Sequence, residues 1–380
     1  WKEFAPKFYS TANWETIHAK LKLGAALDWT LFLTEEIRVL AGEYSRTIAG
    51  VPEPRSKEKA ALSLAEVPYS QALGLWYAGE KFSPEAKADV EHKVATMIEV
   101  YKARLEKADW LAPETREKAI VKLNVITPHI GYPEKLPETY DKKIIDENLS
   151  LVENAQKLVE ISVAHSWSKW NQPVDRSEWH MPAHMVNAYY DPQQNQIVFP
   201  AAILQAPFYD IAQSSSANYG GIGAVIAHEI SHAFDTNGAS FDENGSLKNW
   251  WTEEDYAAFK ERTDKIVDQF EGLDSYGAKV NGKLTVSENV ADLGGVACAL
   301  EAAKRDKDFS VREFFVNFAT IWRMKAREEY MQMLASVDVH APAKWRTNVI
   351  VSNFDEFHKE FDVKEGDGMW RAPEDRVIIW

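Results

Sequence analysis

Apolar positions in the first 130 residues recur at helical spacing. Val90, Val94, Ile98, Tyr101 and Leu105 follow one another at intervals of three or four residues. Side chains at that spacing share one face of a helix, so the stretch predicts an amphipathic helix that buries this face. The first third of the chain is therefore expected to be mainly helical.

Short local signals mark where helices begin and where the pattern stops. Ser83-Pro84-Glu85 offers a capping serine, a first-turn proline and an early acid, and Ala112-Pro113-Glu114 opens a further helix. Thr127-Pro128 and Gly131-Tyr132-Pro133 interrupt the helical pattern. Residues 133–148 are polar and rich in turn formers, and we place a boundary there.

The second part of the chain mixes strands with helices. Gln196-Ile197-Val198-Phe199 predicts a strand ended by Pro200, with Asn187-Ala188-Tyr189-Tyr190 as its antiparallel neighbour. The pattern as a whole predicts a mainly α protein with a small β-sheet, an α+β fold. Further helices are expected over residues 219–234, 252–270, 287–304 and 311–334.

Composition narrows the class of protein. The 380 residues are 45% hydrophobic, enough for a large core, and a net charge of −15 argues against nucleic acid as a partner. No apolar run of about 18 residues occurs, so no membrane span is expected. Cys298 is the only cysteine, so the chain cannot form an intrachain disulfide, and this favours a reducing compartment. We expect Cys298 itself to be buried and to pack as a small apolar residue. The chain starts at Trp1 without a signal peptide, and we expect it to be a fragment.

The chemistry is concentrated in His228-Glu229-Ile230-Ser231-His232. The two histidines are four residues apart, so on a helix they project from one face and can bind one zinc ion. Glu229 projects to the side, within reach of a water in an open metal position. The alternative, two solvated histidines on a surface helix, fits poorly because the preceding residues 223–227 are apolar or small.

A zinc ion of this kind needs a third protein ligand. A histidine at position 238 would supply it in one class of zinc peptidase, but that position is Gly238. Glu288 on a later predicted helix suits the role, and Asp292, four residues on, can accept a hydrogen bond from a ligand histidine. Taken alone, the two acids would be a solvated helix face. Gly294-Gly295 would let this helix approach another backbone closely.

These residues predict hydrolysis by a metal-activated water. Zinc held by two imidazoles and one carboxylate keeps a positive charge, acidifies its water and polarises a carbonyl. Glu229 would take the proton from that water and pass it to the leaving amine. The donors that stabilise the oxyanion stay open at this point.

Several segments together resemble the neprilysin family of zinc metallopeptidases, and among its members the bacterial oligopeptidases most of all. The resemblance extends along essentially the whole chain. It is carried by the histidine motif, residues 288–292, 186–190, 196–201, 218–223 and 339–342, and by Arg346.

The resemblance implies roles that spacing alone does not give. Asn187 and Ala188 would pair with the substrate main chain, and His340 would stabilise the oxyanion. Arg346 would bind the substrate carbonyl beyond the cleaved bond. The pocket for a large apolar side chain on the new amino terminus would be lined by Phe208, Val225 and Trp322.

The resemblance also implies a two-lobed fold. A connecting helix over residues 1–19 would precede a partial helical cap lobe over 20–148, followed by a thermolysin-like zinc lobe over 149–380. Family members are longer on the amino-terminal side, so a missing amino-terminal portion of the same protein is an expected partner. Val377 stands where secreted relatives have a cysteine, which favours a bacterial cytoplasmic form.

The resulting hypothesis is an endopeptidase with one zinc ion per chain. It would hydrolyse oligopeptides on the amino side of large hydrophobic residues. One alternative is a non-catalytic peptide- or metal-binding protein on the same scaffold, which would not need Glu229. A second is a structural helical protein that binds no metal.

Overall fold

The computed structural model describes residues 2–380, which are mainly helical, as predicted. None of the helices in this range is both long enough and apolar enough to cross a lipid bilayer. A π-helical segment, Tyr219–Gly223, joins two of them. The α-helices are α1 (Phe4–Phe8), α2 (Trp14–Trp29), α3 (Glu35–Ala41), α4 (Glu43–Ile48), α5 (Lys57–Lys81), α6 (Pro84–Lys107), α7 (Pro113–Asn124), α8 (Leu151–Ser168), α9 (Ser215–Asn218), α10 (Ala224–Ser231), α11 (Glu253–Phe270), α12 (Gly282–Ala303), α13 (Val311–Ile321), α14 (Glu328–Val337), α15 (Ala343–Val351) and α16 (Asp355–Glu360).

Two small sheets complete the secondary structure. The three-stranded sheet has the order β1-β3-β2, with β1 parallel and β2 antiparallel to the central strand. The predicted pairing of the strand at 196–199 with the segment that ends in Tyr190 is confirmed, since Tyr190 pairs with Ile197. The strands are β1 (Thr127–Gly131), β2 (Tyr189–Asp191), β3 (Gln196–Pro200), β4 (Asp274–Ser275) and β5 (Ala278–Lys279).

Strand β1 lies where the sequence predicts only an interruption. Thr127 pairs with Gln196 and Pro128 with Ile197. β1 is an edge strand with β3 as its single neighbour, so the missing N–H of Pro128 can face away from the ladder. The proline ends the helical pattern without preventing a strand.

Two compact units make up the chain, as a two-lobed fold requires. Among the described residues, the first comprises 2–69 together with Pro137–Pro173, and the second comprises Ser70–Leu136 and Val174–Trp380. These bounds differ from the predicted ones at residues 19 and 148, because residues 70–136 belong to the same unit as the histidine motif.

Packing against the motif helix explains this assignment of residues 70–136. The Tyr101 hydroxyl of α6 donates a hydrogen bond to the Ala227 carbonyl of α10 at 3.1 Å. Val90 and Met97 of α6 are fully buried in the same core. Helix α6 thus shares one apolar core with α10 and α12, in agreement with the assignment of residues 70–136 to the unit of the histidine motif.

Helices α10 and α12 pack at very short range, as the glycine pair predicts. A Cβ atom built on Gly295 would lie 2.8 Å from the His228 nitrogen and 3.0 Å from the Ala224 oxygen. Glycine therefore permits the backbone contact that places residues of α12 beside the histidines of α10.

Two helix boundaries differ from the prediction. The single helix expected over 311–334 is two helices, α13 and α14, separated by residues 322–327. Helix α12 starts at Gly282, five residues before the predicted start at 287. The reason for the earlier start is Asn281, whose side chain accepts hydrogen bonds from the nitrogens of Lys283 and Leu284.

The first unit leaves much apolar surface exposed. Leu21, Leu23, Leu40 and Tyr44 are 62%, 62%, 68% and 75% exposed. Large apolar side chains left this exposed are candidates for contact with a partner.

Candidate active site

Three side chains from two helices bring metal-binding atoms together. His228 lies in the last turn of α10, His232 follows that helix as its carboxyl-terminal cap, and Glu288 lies in α12. The two Nε2 atoms are 3.0 Å apart, and Oε2 of Glu288 is 3.3 and 3.5 Å from them. Ligands about 2.0–2.1 Å from a tetrahedral zinc ion are about 3.4 Å apart, so the three atoms fit one zinc ion.

The state of Glu288 agrees with a metal ligand. Its Oε2 is buried and accepts no hydrogen bond of normal geometry from residues 2–380. Burial alone would raise the pKa of this carboxyl, but the facing imidazoles of His228, His232 and His340 hold it well below its usual range. A bound cation would neutralise a buried carboxylate oxygen that faces imidazole nitrogens but has no well-formed hydrogen bond.

A carboxylate lies behind each histidine. Nδ1 of His228 is 2.8 Å from Oδ1 of Asp292, and Nδ1 of His232 is 2.6 Å from Oδ2 of Asp235. A carboxylate that accepts a hydrogen bond from Nδ1–H leaves the lone pair of Nε2 free for a metal. Sequence reasoning missed Asp235, although an acid three residues after the second histidine was a usable signal.

Asp292 is held in turn by Arg346. Nε and Nη2 of Arg346 donate to the two oxygens of Asp292, both at 2.7 Å, in a buried bidentate pair. Burial opposes ionisation of Asp292, but the charges of Arg346 and His228 outweigh it and lower its pKa to about 2. Asp292 is therefore a carboxylate at neutral pH.

Glu229 lies beside the metal-binding atoms, but its pKa is shifted in the opposite direction from those of Glu288 and Asp292. It is 6% exposed, and burial raises its pKa above the usual value while the neighbouring His228 and His232 oppose the shift. A carboxylate with a raised pKa accepts a proton more readily, which suits a general base.

A single cleft of about 460 Å³ is lined by every site residue predicted from the sequence. It lies within the second unit, and its size is in the range of ligand pockets. The predicted residues that line it are Asn187, Ala188, Phe208, Val225, His228, Glu229, His232, Glu288, Asp292, Trp322, His340 and Arg346.

One side of the cleft is a sheet edge. Asn187 and Ala188 lead directly into β2, whose only strand partner within residues 2–380 is β3, so its other edge is unpaired there. Extended peptides bind to such edges through main-chain hydrogen bonds.

His340 reaches into the cleft from the segment before α15. Its Nε2 is 3.1 Å from Oε2 of Glu288, and its Nδ1 is 2.8 Å from Oδ1 of Asp338. The side chain is 43% exposed. It can therefore turn a donor toward a ligand while Asp338 holds the other nitrogen.

The apolar wall of the cleft is larger than predicted. Besides Phe208, Val225 and Trp322, it includes Phe318 and Ile321 of α13. The guanidinium carbon of Arg346 lies 3.9 Å from the centroid of the Trp322 ring, which joins this wall to the polar part of the site.

Comparison with protein-family models decides the family. A model of peptidase family M13 matches residues 187–377, and a second M13 model matches residues 2–133. The chain belongs to peptidase family M13. This confirms the resemblance predicted from the motifs, since curated M13 relatives of the chain include Drosophila melanogaster neprilysin-3.

Bacterial proteins are among the curated relatives of the M13 chain. It is 73% identical to a Streptococcus gordonii protein provisionally named zinc metalloproteinase in the scaA 5′ region, over 83% of this chain and 56% of the relative. It is 54% identical to the neutral endopeptidase of Lactococcus lactis subsp. lactis, over 97% of this chain and 58% of the relative.

A solved structure has the same fold. The crystal structure of PepO from Lactobacillus rhamnosis matches with a TM-score of 0.92 and 40% identity, over 99% of this M13 chain and 60% of that one. The M13 chain thus spans a little over half the length of the curated relatives it matches.

Proposed function

We propose that the chain carries the catalytic centre of a zinc-dependent endopeptidase that acts on oligopeptides. The observation that carries this proposal is the convergence of two imidazole nitrogens and one buried carboxylate oxygen at 3.0–3.5 Å beside Glu229. That donor set fits one zinc ion per chain, with a fourth position left for water or substrate.

Different residues of the chain have different roles in the proposed hydrolysis. Bound zinc would supply a Lewis acid that acidifies water and polarises the scissile carbonyl. Glu229 takes a proton from the attacking water and delivers it to the leaving amine, which its raised pKa favours. His340 donates a hydrogen bond to the oxyanion, with its ring held by Asp338.

Substrate binding uses the sheet edge and the apolar wall. Asn187 and Ala188 pair with the main chain of the peptide along β2. Arg346 donates two of its five N–H groups to Asp292, so others remain for the carbonyl beyond the cleaved bond. Phe208, Val225 and Trp322 receive a large hydrophobic side chain, which places cleavage on its amino side.

The exposed apolar surface of the first unit supports a polypeptide partner. Curated relatives are longer than this chain, which covers 58% of the Lactococcus protein. We infer that the portion of the protein corresponding to the unmatched part of the relatives covers Leu21, Leu23 and Leu40. Supplied as a second polypeptide, it should slow amide hydrogen exchange around these residues. Unchanged exchange would contradict this partner.

The cysteine content supports the expected location. The chain has one cysteine in 380 residues, which fits a reducing compartment such as the bacterial cytoplasm.

The experiment combines metal analysis with hydrolysis of a blocked peptide. An acetylated and amidated peptide with one internal Phe excludes exopeptidase action. Mass spectrometry should find cleavage on the amino side of Phe, and a zinc chelator should abolish it. Glu229→Gln should keep one zinc ion and lose hydrolysis, whereas Glu91→Gln, an exposed acid on α6, should change neither.

The same experiment separates the alternatives. One zinc ion per chain without cleavage would support a peptide- or metal-binding protein. A folded sample that takes up no zinc would support a structural protein. Normal cleavage by Glu229→Gln would show that the base is a different residue.

A further inference from the structure

A buried lysine contacts the segment that follows the histidine motif. Lys122, in the last turn of α7, is 1% exposed. Its Nζ lies 2.8 Å from each of three backbone oxygens, those of Ala233, Gly238 and Phe241. A lysine with this burial and these partners has no part in the hydrolysis described above.

The contacts match the bonding capacity of an ammonium group. An ammonium has three N–H donors and no acceptor, and each donor has one carbonyl. Burial lowers the pKa of Lys122 to about 7, and the carboxylates of Asp235 and Asp242 oppose the shift. A neutral amine would leave one of the three carbonyls without a donor, so the geometry favours the charged form.

Aromatic rings surround the rest of the ammonium. The centroids of Tyr190, Phe234 and Trp250 lie 5.8, 5.9 and 5.8 Å from Nζ. Ring faces stabilise a desolvated cation at this distance. The pocket is thus built around one positive charge.

The three carbonyls belong to residues on both sides of Asp235 in the sequence, Ala233 before it and Gly238 and Phe241 after it. One oxygen of Asp235 accepts hydrogen bonds from the nitrogens of Asn237 and Gly238, at 2.8 and 2.7 Å. The other oxygen is 2.6 Å from Nδ1 of His232 and accepts from Ser287 Oγ at 2.5 Å. By holding residues 233–241 in place, Lys122 also holds the Asp235 carboxylate. That carboxylate orients His232 and contacts Ser287, the residue before Glu288.

We propose that Lys122 is a positioning residue for the metal centre, which fixes His232 through residues 233–241 and Asp235. The proposal rests on the proposed function, because it assumes that His232 binds zinc. Lys122 donates no hydrogen bond to a proposed metal ligand, and Gly238, the one of its three partners that lines the cleft, is bound through its backbone oxygen. Its removal should change the geometry and retention of the metal and leave the substrate contacts in place.

The test replaces the ammonium with an apolar side chain of similar length. In the zinc-loaded full chain, Lys122→Met should weaken zinc binding by about 10-fold or more, measured by competition with a chelator. It should lower kcat with little change in KM, and it should shift the visible absorption bands of the cobalt(II)-substituted protein. A general loss of stability would not move those bands.

Lys93→Met is the matched control. Lys93 is 7% exposed on α6, with Nζ 3.2 Å from Asp89 and 5.2 Å from the Tyr219 ring centroid. Its replacement also removes a buried ammonium in the same unit. It should leave zinc affinity and the cobalt bands unchanged.

A double variant tests whether Lys122 acts through Asp235. The double variant Lys122→Met, Asp235→Asn should bind zinc no more weakly than Asp235→Asn alone. If Lys122 acts only through Asp235, the losses of zinc-binding free energy from the two substitutions do not add. Fully additive losses would overturn the stated path. If Lys122→Met does not fold, Lys122→Gln, which keeps two donors, takes its place with the same expectations.

The outcomes also separate this inference from the proposed function. Unchanged zinc affinity and cobalt bands in a Lys122 variant, with a wild-type chain that binds zinc and cleaves peptide, would overturn this inference alone. A wild-type chain that takes up no zinc would remove both proposals.

Discussion

At the scale of single residues, the site depends on charges that are buried together. Arg346 and Asp292 have side chains only 9% and 3% exposed, so each would stay largely desolvated if the other were removed. Breaking a buried pair costs far more than the pair contributes, because one uncompensated charge stays behind.

Arg346→Met should therefore lower the free energy of unfolding by about 3–5 kcal/mol. Urea unfolding followed by circular dichroism would measure it. Arg305→Met is the control, because Arg305 and Glu99 form a pair at 3.5 Å with side chains 46% and 70% exposed. That control should cost about 0–1 kcal/mol. Equal losses in the two variants would contradict the buried charge pair.

Cys298 shows how burial alone sets reactivity. The residue is fully buried in α12, as predicted, with its Sγ 3.8 Å from the sulfur of Met97. Burial raises the pKa of its thiol, which removes the reactive thiolate.

The native chain should resist alkylation by iodoacetamide even at pH 9, where an exposed thiol with a pKa of about 8.5 reacts readily. The same chain in denaturant should gain one label, read by mass spectrometry. Fast labelling of the folded chain would show that Cys298 is accessible.

At the scale of elements, the site depends on the close approach of α10 and α12. The Gly295 position has no room for a side chain, whereas a Cβ atom added to Gly79 in α5 would meet nothing within 4 Å. The two glycines, both helical and both in the second unit, therefore allow a matched pair of substitutions.

Gly295→Ala should destabilise the fold by about 1–3 kcal/mol, because the new methyl group meets the backbone of His228. Gly79→Ala should stabilise it by up to about 1 kcal/mol, because alanine is the better helix former. Thermal unfolding of both variants measures the difference. A higher melting temperature for Gly295→Ala would contradict the packing described here.

Elements with strong local signals could be predicted, and those decided by distant partners could not. Ser83 accepts a hydrogen bond from Ala86 at the predicted start of α6. Strand β1 was missed because its identity comes from pairing with β3, about 70 residues away. The break between α13 and α14 was missed because residues 322–327 contain no glycine or proline. There Trp322 stacks against Arg346, a contact that no local pattern reveals.

At the scale of the whole molecule, zinc should contribute to stability. An ion that binds only the folded state adds about 2.7 kcal/mol when its free concentration is 100 times the dissociation constant. Zinc should therefore raise the melting temperature of the apo chain, and a chelator should lower it again. His228→Ala should lose this response, and His92→Ala, an exposed histidine on α6, should keep it. A response that survives His228→Ala would place the metal elsewhere.

The polar site was more predictable than the division of the chain into units. His228 and His232 could be found because helical spacing places them on one face, with Glu229 between them. Glu288 had to be inferred from the need for a third ligand. Asp235 had a local signal in its position three residues after His232, but its contact with Ser287 of a separate helix had none. The unit boundaries depend on which helices α6 packs against. The apolar periodicity of α6 shows that one of its faces is buried, but it does not show which helices cover that face.

The most direct measurement is an anomalous difference map at the zinc absorption edge from crystals of the zinc-loaded chain. We expect one strong peak, about 2.0–2.2 Å from Nε2 of His228, Nε2 of His232 and a carboxylate oxygen of Glu288. A strong peak at any other group of residues, or zinc bound without Glu288, would contradict it.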